Sequence, residues 1–215
     1  MSDSSPRRLP RGRHALPREE ARRLQRLRLC GAMAEVMSEK GYVATSVEDV
    51  LKRAVVSRQS FYQLFDSKFD CFMSSFERAS ELLLERLIPI AGFGSEPAQT
   101  EGAEPLERFE RAFTAYLEAL ASEWSYTRLF LVEVYAAGPD AVRRRTDVQS
   151  WLADALADLL GARSEEGRFA CRTVVAATSA MVTAPVARND REGLLAVGPP
   201  LIAHVRRLWA AGVLT

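Results

Sequence analysis

Residues 45–72, TSVEDVLKRAVVSRQSFYQLFDSKFDCF, decide the fold of this chain. Thr45 followed three residues later by Glu48 is the pattern of a capping box, so a helix is expected to begin there. Val47, Val50, Leu51 and Ala54 then share one face at helical spacing. After a short break, Ser57 can cap a second helix whose apolar side is Phe61, Leu64 and Phe65. Arg58, Gln59, Ser60, Tyr62 and Gln63 occupy its other faces, nearly all of them hydrogen-bond formers. A short helix with an apolar back and a polar, partly basic front has the shape and chemistry that a DNA major groove accepts. The spacing therefore predicts a helix-turn-helix, with a third helix opening at Lys68 directly after it.

The ordered set Gly41-Tyr42, Thr45-Ser46-Val47, Ala54-x-Val56-Ser57, Phe61-Tyr62, Phe65 and Lys68 resembles the DNA-binding domain of TetR-type transcriptional regulators. The resemblance covers roughly the first third of the chain. It implies an all-helical homodimer with three N-terminal DNA-binding helices and a larger ligand-sensing domain. It also implies a phosphate contact for the Tyr62 hydroxyl and a four-helix dimer contact built from the last two long helices. Two positions depart from the pattern: Val55 stands where the family has Gly, and Leu51 where it has Ala. A left-handed backbone costs a β-branched residue about 1–2 kcal/mol. Either the turn at Val55 is strained, or the preceding helix runs on.

Composition agrees with a globular protein. The chain has 215 residues, 47% of them apolar, with Gly and Pro not enriched. Its uninterrupted apolar runs fall short of the ~20 residues of a membrane-spanning helix, and SDSSPRRLPRGRH lacks the apolar stretch of a signal peptide. A cytoplasmic protein with no membrane partner is expected. Cys30, Cys71 and Cys171 are widely separated and have only His14 and His204 as possible companions, so small buried hydrophobes are expected rather than a disulfide framework or a metal site. Charge is uneven. Through Lys68, 14 Lys and Arg face 8 Asp and Glu, a net of +6; the remainder has 15 against 20, a net of −5. A basic part joined to an acidic one is the pattern of a nucleic-acid-binding domain attached to a non-binding domain.

The organisation expected is a flexible basic arm over 1–17, a helix-turn-helix DNA-binding domain over 18–67 and a helical effector-binding and dimerisation domain over 68–215. The first helix should span 18–40, with Leu27, Cys30, Ala34 and Met37 inward and Gly41 as its C-terminal cap. A long helix from Lys68 should end near Leu87, before Pro89. Residues 90–105, IAGFGSEPAQTEGAEP, read as a loop, and Arg7, Arg8, Arg11 and Arg13 in the arm could reach a minor groove. Helical patterns follow over 106–122, 126–137, 140–160, 165–186 and 198–211, with 189–197 ambiguous. No alternating strand pattern is present, so the fold class is all-α.

The DNA contacts expected are Thr45, Ser57, Arg58, Gln59, Ser60, Tyr62, Gln63 and Lys68. Arg58 and Gln59 can each offer paired hydrogen bonds to a base edge. Lys68 in a helix's first turn opposes the helix dipole, a placement that becomes useful if a phosphate sits there. The remainder carries no nucleophile elbow, phosphate-binding loop or His-Glu-x-x-His, so no enzyme and no cofactor is expected. Its candidate site is a pocket for a small apolar or aromatic effector, drawn from Phe113, Tyr116, Trp124, Tyr126, Phe130, Glu133, Thr178 and Met181. Glu133 interrupts an apolar run, so burial would oblige it to meet Arg128, another arginine or a ligand. These features predict a ligand-responsive homodimeric repressor on a near-palindromic operator. An architectural DNA binder and a small-molecule-binding protein with impaired DNA binding are the alternatives.

Overall fold

The computed structural model describes residues 18–91 and 104–214. The arginine arm and most of the Gly/Pro/Glu-rich segment lie outside them. Among the described residues there are ten α-helices, one 3₁₀ turn and no strand. In chain order the helices are α1 (Arg18–Ala44), α2 (Val47–Ala54), α3 (Arg58–Tyr62), α4 (Lys68–Ala91), α5 (Pro105–Ser122) and α6 (Trp124–Leu131). A 3₁₀ turn (Glu133–Tyr135) follows, then α7 (Pro139–Leu160), α8 (Glu165–Ala187), α9 (Arg191–Ala196) and α10 (Gly198–Ala210).

α1 buries Leu29, Cys30, Met33, Ala34, Val36 and Met37 against α2, α4 and α6, while Leu27, expected inward, is exposed. Gly41 interrupts the helix at φ 78°, a left-handed value suited to glycine. The cap of α2 lies one residue later than expected. Ser46 Oγ accepts from the Asp49 N–H at 3.2 Å, and Asp49 accepts the Ser46 N–H at 2.9 Å, so the box is Ser46–Asp49 rather than Thr45–Glu48. Hydrogen bonds from Lys40 and Ser46 hold the Asp49 carboxyl well below the usual carboxylate range. α3 is only five residues long, capped by Ser57, and ends at Tyr62, so Leu64 and Phe65 follow it instead of lying on its apolar side.

Arginines that contribute to the basic count serve as struts here. Arg28 donates to the Ala54 carbonyl at the end of α2 (2.6 Å), and Arg26 donates to Ser74 Oγ (2.6 Å) while lying over the Phe65 ring. Arg53 pairs with Glu35 and Glu39, fastening α2 to α1. The N-terminal positive charge is therefore partly spent on the fold.

Val55 adopts φ 54°, ψ 49°, so the strained turn is realised and α2 does not run on. Its side chain is 79% exposed and adds little packing in return. Left-handed strain of about 1–2 kcal/mol exceeds the extra unfolded-chain freedom of a glycine, about 0.4–1 kcal/mol. Val55→Gly is expected to raise the melting temperature by about 2–4 °C; a fall in thermal unfolding experiments would refute the strain argument.

The remaining helices close one continuous core from Leu29 to Leu214. α4 passes through Pro89 to Ala91, because a proline this near the C-terminus removes a single intrahelical bond. The apolar stretch expected as one helix over 126–137 divides into α6 and the 3₁₀ turn. The ambiguous segment forms α9, capped by Asp190, which accepts the Gly193 N–H at 2.7 Å. By length and composition α8 is long and apolar enough to cross a membrane, although Arg172 and several hydroxyl side chains interrupt its apolar run. Its inner side, Cys171, Val174, Thr178 and Val182, is in the core. All three cysteines are free and buried.

Candidate functional site

The front of α3 is polar and open. Arg58, Gln59, Tyr62 and Gln63 are exposed, whereas Phe61 is fully buried and Phe65 nearly so. Tyr62 meets the Phe61 ring edge-on at 5.3 Å, which holds its hydroxyl end outward. Arg58 pairs with Glu48 at 3.1 Å, and such an exposed pair is weak enough to be exchanged for DNA. The Ser57 hydroxyl caps α3 by accepting from the Ser60 N–H at 3.1 Å, and the two serine hydroxyls lie 2.9 Å apart.

Thr45 and Lys68 are placed differently from expectation. Thr45 is 2% exposed, and its hydroxyl donates to the Gly41 carbonyl at 2.7 Å, so it is not offered to a phosphate. Lys68 Nζ donates to the carbonyls of Tyr42 and Thr45, each at 3.0 Å, and lies 4.2 Å from the Tyr42 ring centre. Its ammonium neutralises the carbonyl end of α1 instead of waiting for an anion. Desolvation lowers its pKa accordingly.

Glu133 is also reassigned. It is 7% exposed but faces the end of α1, beside the helix-turn-helix, rather than a cavity. Its Oε2 accepts the Tyr42 N–H at 2.8 Å, and Oε1 lies 3.6 Å from Arg128 Nη2. Arg128 Nη1 donates to the Val186 carbonyl at the end of α8 (2.9 Å). A Cβ on residue 41 would stand 3.3 Å from Glu133 Oε2, a second reason for glycine there. The Tyr42 peptide is thus clamped on both sides, its N–H by the turn after α6 and its carbonyl by α4.

A cavity of about 110 Å³ lies among α4 to α8. Of the expected lining, Phe113, Tyr116, Phe130 and Thr178 are present. Trp124 is elsewhere, its indole N–H donating to Asn189 Oδ1 at 2.7 Å with Arg191 over its ring. Tyr126 packs toward Gly31 of α1 and lines a separate small cleft. Met181 is exposed on the outer side of α8. Helical spacing cannot distinguish the two sides of an apolar helix, and only packing separates buried Thr178 from exposed Met181. Burial pushes the Tyr116 phenol up to about 12, so it remains a neutral donor. The lining also includes Phe109, Gln149, Leu152, Leu156, Leu159, Val175 and Ser179. The α7 members form a stripe at helical spacing that sequence reading could have found.

The outer sides of α8 and α10 border a groove of about 990 Å³ with Phe169, Thr173, Ala177, Met181, His204 and Leu208 in its walls. Phe169 is 64% exposed. On the same two helices Val182 and Val205 are fully buried in the core, while Val174 and Leu201 are largely buried and form the floor of the groove.

The family described as bacterial regulatory proteins of the tetR family matches residues 31–73, a span from inside α1 through the helix-turn-helix to the start of α4. Residues 31–73 thus carry the DNA-binding domain of the TetR family. It is 25% identical over 145 residues to the HTH-type transcriptional activator FasR of Mycolicibacterium smegmatis, covering 67% of this chain and 61% of that relative's length. The fold is similar to the fatty acid degradation regulator FadR of Bacillus halodurans, with a TM-score of 0.70 at 18% identity over 83% of this chain and 93% of that one. It is also similar to Bacillus subtilis FadR in complex with stearoyl-CoA, with a TM-score of 0.65 at 18% identity over 82% and 95% of the two chains. The TetR-type motif residues Gly41, Tyr42 and Lys68 meet at the clamp, so this part of the signature is structural. Ser57, Arg58, Gln59 and Tyr62 stand on the open side of α3 and at its N-terminus.

Proposed function

We propose that the chain is a ligand-responsive transcriptional repressor that binds a near-palindromic operator as a homodimer. The reading is carried by α3, whose polar front is open while its aromatic back is buried. Arg58, Gln59 and Gln63 read base edges in the major groove, and Ser57, Ser60 and Tyr62 contact phosphates and fix the register. The helix-turn-helix domain is 18–67, and the effector and dimerisation domain begins at Lys68. A second copy covers the exposed apolar side of α8 and α10, which places two recognition helices roughly 34–36 Å apart or at a multiple of one DNA turn. The cavity among α4 to α8 takes a small apolar effector; the stearoyl-CoA in the Bacillus subtilis relative supports an acyl group as the apolar part. Binding shifts the population toward a dimer with wrongly spaced recognition helices. Activation is the second reading, favoured by the name of the Mycolicibacterium smegmatis relative.

The test is to retain sheared genomic DNA of the source organism on the purified protein at moderate salt and sequence the fragments. A few peaks that share an inverted repeat are expected. Diffuse retention that vanishes as salt rises would instead indicate non-specific phosphate binding. On the operator found, Gln59→Ala should weaken binding by about 1–3 kcal/mol and relax preference at one base pair in each half-site. Equal loss on random DNA would remove Gln59 from base reading.

A further inference from the structure

Arg145 is a buried cation without an anion. It is 6% exposed, its Nε is buried with no partner, and among the described residues no carboxylate forms an ion pair with it. Its Nη2 donates to Ser179 Oγ at 2.5 Å, and its guanidinium lies 5.2 Å from the Tyr135 ring centre. Gln149 Nε2 donates to the same Ser179 oxygen at 2.6 Å. Two donors fill both lone pairs of that hydroxyl, leaving its own O–H as a further donor. Burial of an uncompensated charge is costly, so a cluster of donors around a buried guanidinium calls for an acceptor bearing negative charge.

The cluster adjoins the effector cavity. Gln149 and Ser179 are in its wall, and most of the remaining wall is apolar, with Phe109, Phe113, Leu152 and Leu156 among its members. We propose that Arg145, Gln149 and Ser179 form the anion-binding end of this cavity, whose ligand is an amphipathic acid with a free carboxylate. The inference rests on the reading of the cavity as the effector site. The carboxylate replaces the Ser179 oxygen as acceptor for Arg145, forming a charge-assisted contact. The hydrocarbon part lies among the aromatic and leucine side chains. Arg145 also rests on Tyr135, which shares the 3₁₀ turn with Glu133, so the anion site touches the segment that clamps Tyr42.

Isothermal titration of the full chain with octanoate, 1-octanol and octanoyl-CoA tests the inference. Octanoate should bind the unaltered protein at least about tenfold more tightly than 1-octanol. Arg145→Met should abolish that preference, bringing octanoate down to the affinity of 1-octanol in the same variant. The comparison of acid with alcohol in the unaltered protein needs no variant, so it stands even if Arg145→Met fails to fold. Equal affinity for acid and alcohol would overturn the anion site while leaving the cavity reading intact. Binding of octanoyl-CoA without octanoate, unaffected by Arg145→Met, would overturn it in favour of a thioester ligand. If none of the three binds, the cavity reading falls and the anion site falls with it.

Discussion

Glu133→Ala is expected to lower stability by about 3–5 kcal/mol, the cost of breaking a buried ion pair by removing one partner. The substitution leaves the Arg128 guanidinium, whose Nε already lacks a partner, without its carboxylate. It also strips the Tyr42 N–H of its acceptor at the junction between α1 and the helix-turn-helix. For a chain of this size the melting temperature should fall by roughly 10 °C. Thermal unfolding of the single variants and of Glu133→Ala with Arg128→Met separates the causes. If the double variant recovers most of the loss, the unpaired charge dominates; if it recovers nothing, the Tyr42 hydrogen bond does. A shift of less than 2 °C in the single variant, at the scale of about 2–4 °C per kcal/mol, would mean that the clamp contributes little. Where operator and effector are known, Glu133→Gln should separate effector response from DNA affinity, because this residue joins the helix-turn-helix to the turn beside Arg145.

Phe61→Ala should have an effect of similar size by a different route. α3 has five residues, far below the length at which a helix sustains itself, so packing must hold it in place. Phe61 is its only fully buried side chain and meets Phe65 with ring centres 5.5 Å apart. Truncation at such a site costs about 3–5 kcal/mol through lost burial and the cavity left behind. The melting temperature should again drop by about 10 °C, and DNA retention should disappear even where the helical content is largely kept. Unchanged DNA affinity in the folded variant would show that Phe61 does not position the reading helix. Tyr62→Phe is the matched control for stability, since it removes a hydroxyl from an exposed side chain without touching the core.

The features legible from residue order were local. Helical spacing placed Phe61 inward and Tyr62 outward, since neighbours on a helix point about 100° apart. Ser57 read correctly as a cap because its partner is three residues away. The cap of α2 was misplaced by one residue, since Thr45 and Ser46 both carry a hydroxyl three positions before an acidic side chain. Tertiary packing chose between them by burying Thr45 against Gly41. The anion-poor Arg145 was invisible for a related reason: in the run Arg143-Arg144-Arg145, only packing distinguishes the buried member from its exposed neighbours.

By itself, then, the amino-acid order determined an all-helical chain, the helix-turn-helix with its open polar front, and the strained candidate at Val55. Each depends on helical periodicity, a cap or a backbone preference, all of which act within a few residues. Only the tertiary structure decided which polar groups meet. Glu133 is bound to a peptide 91 positions away, Lys68 to carbonyls 26 and 23 positions away, and Arg145 to a serine 34 positions away. A buried charge must find a partner, but the demand is non-directional along the chain. The partner is whichever group helix packing brings within about 3 Å.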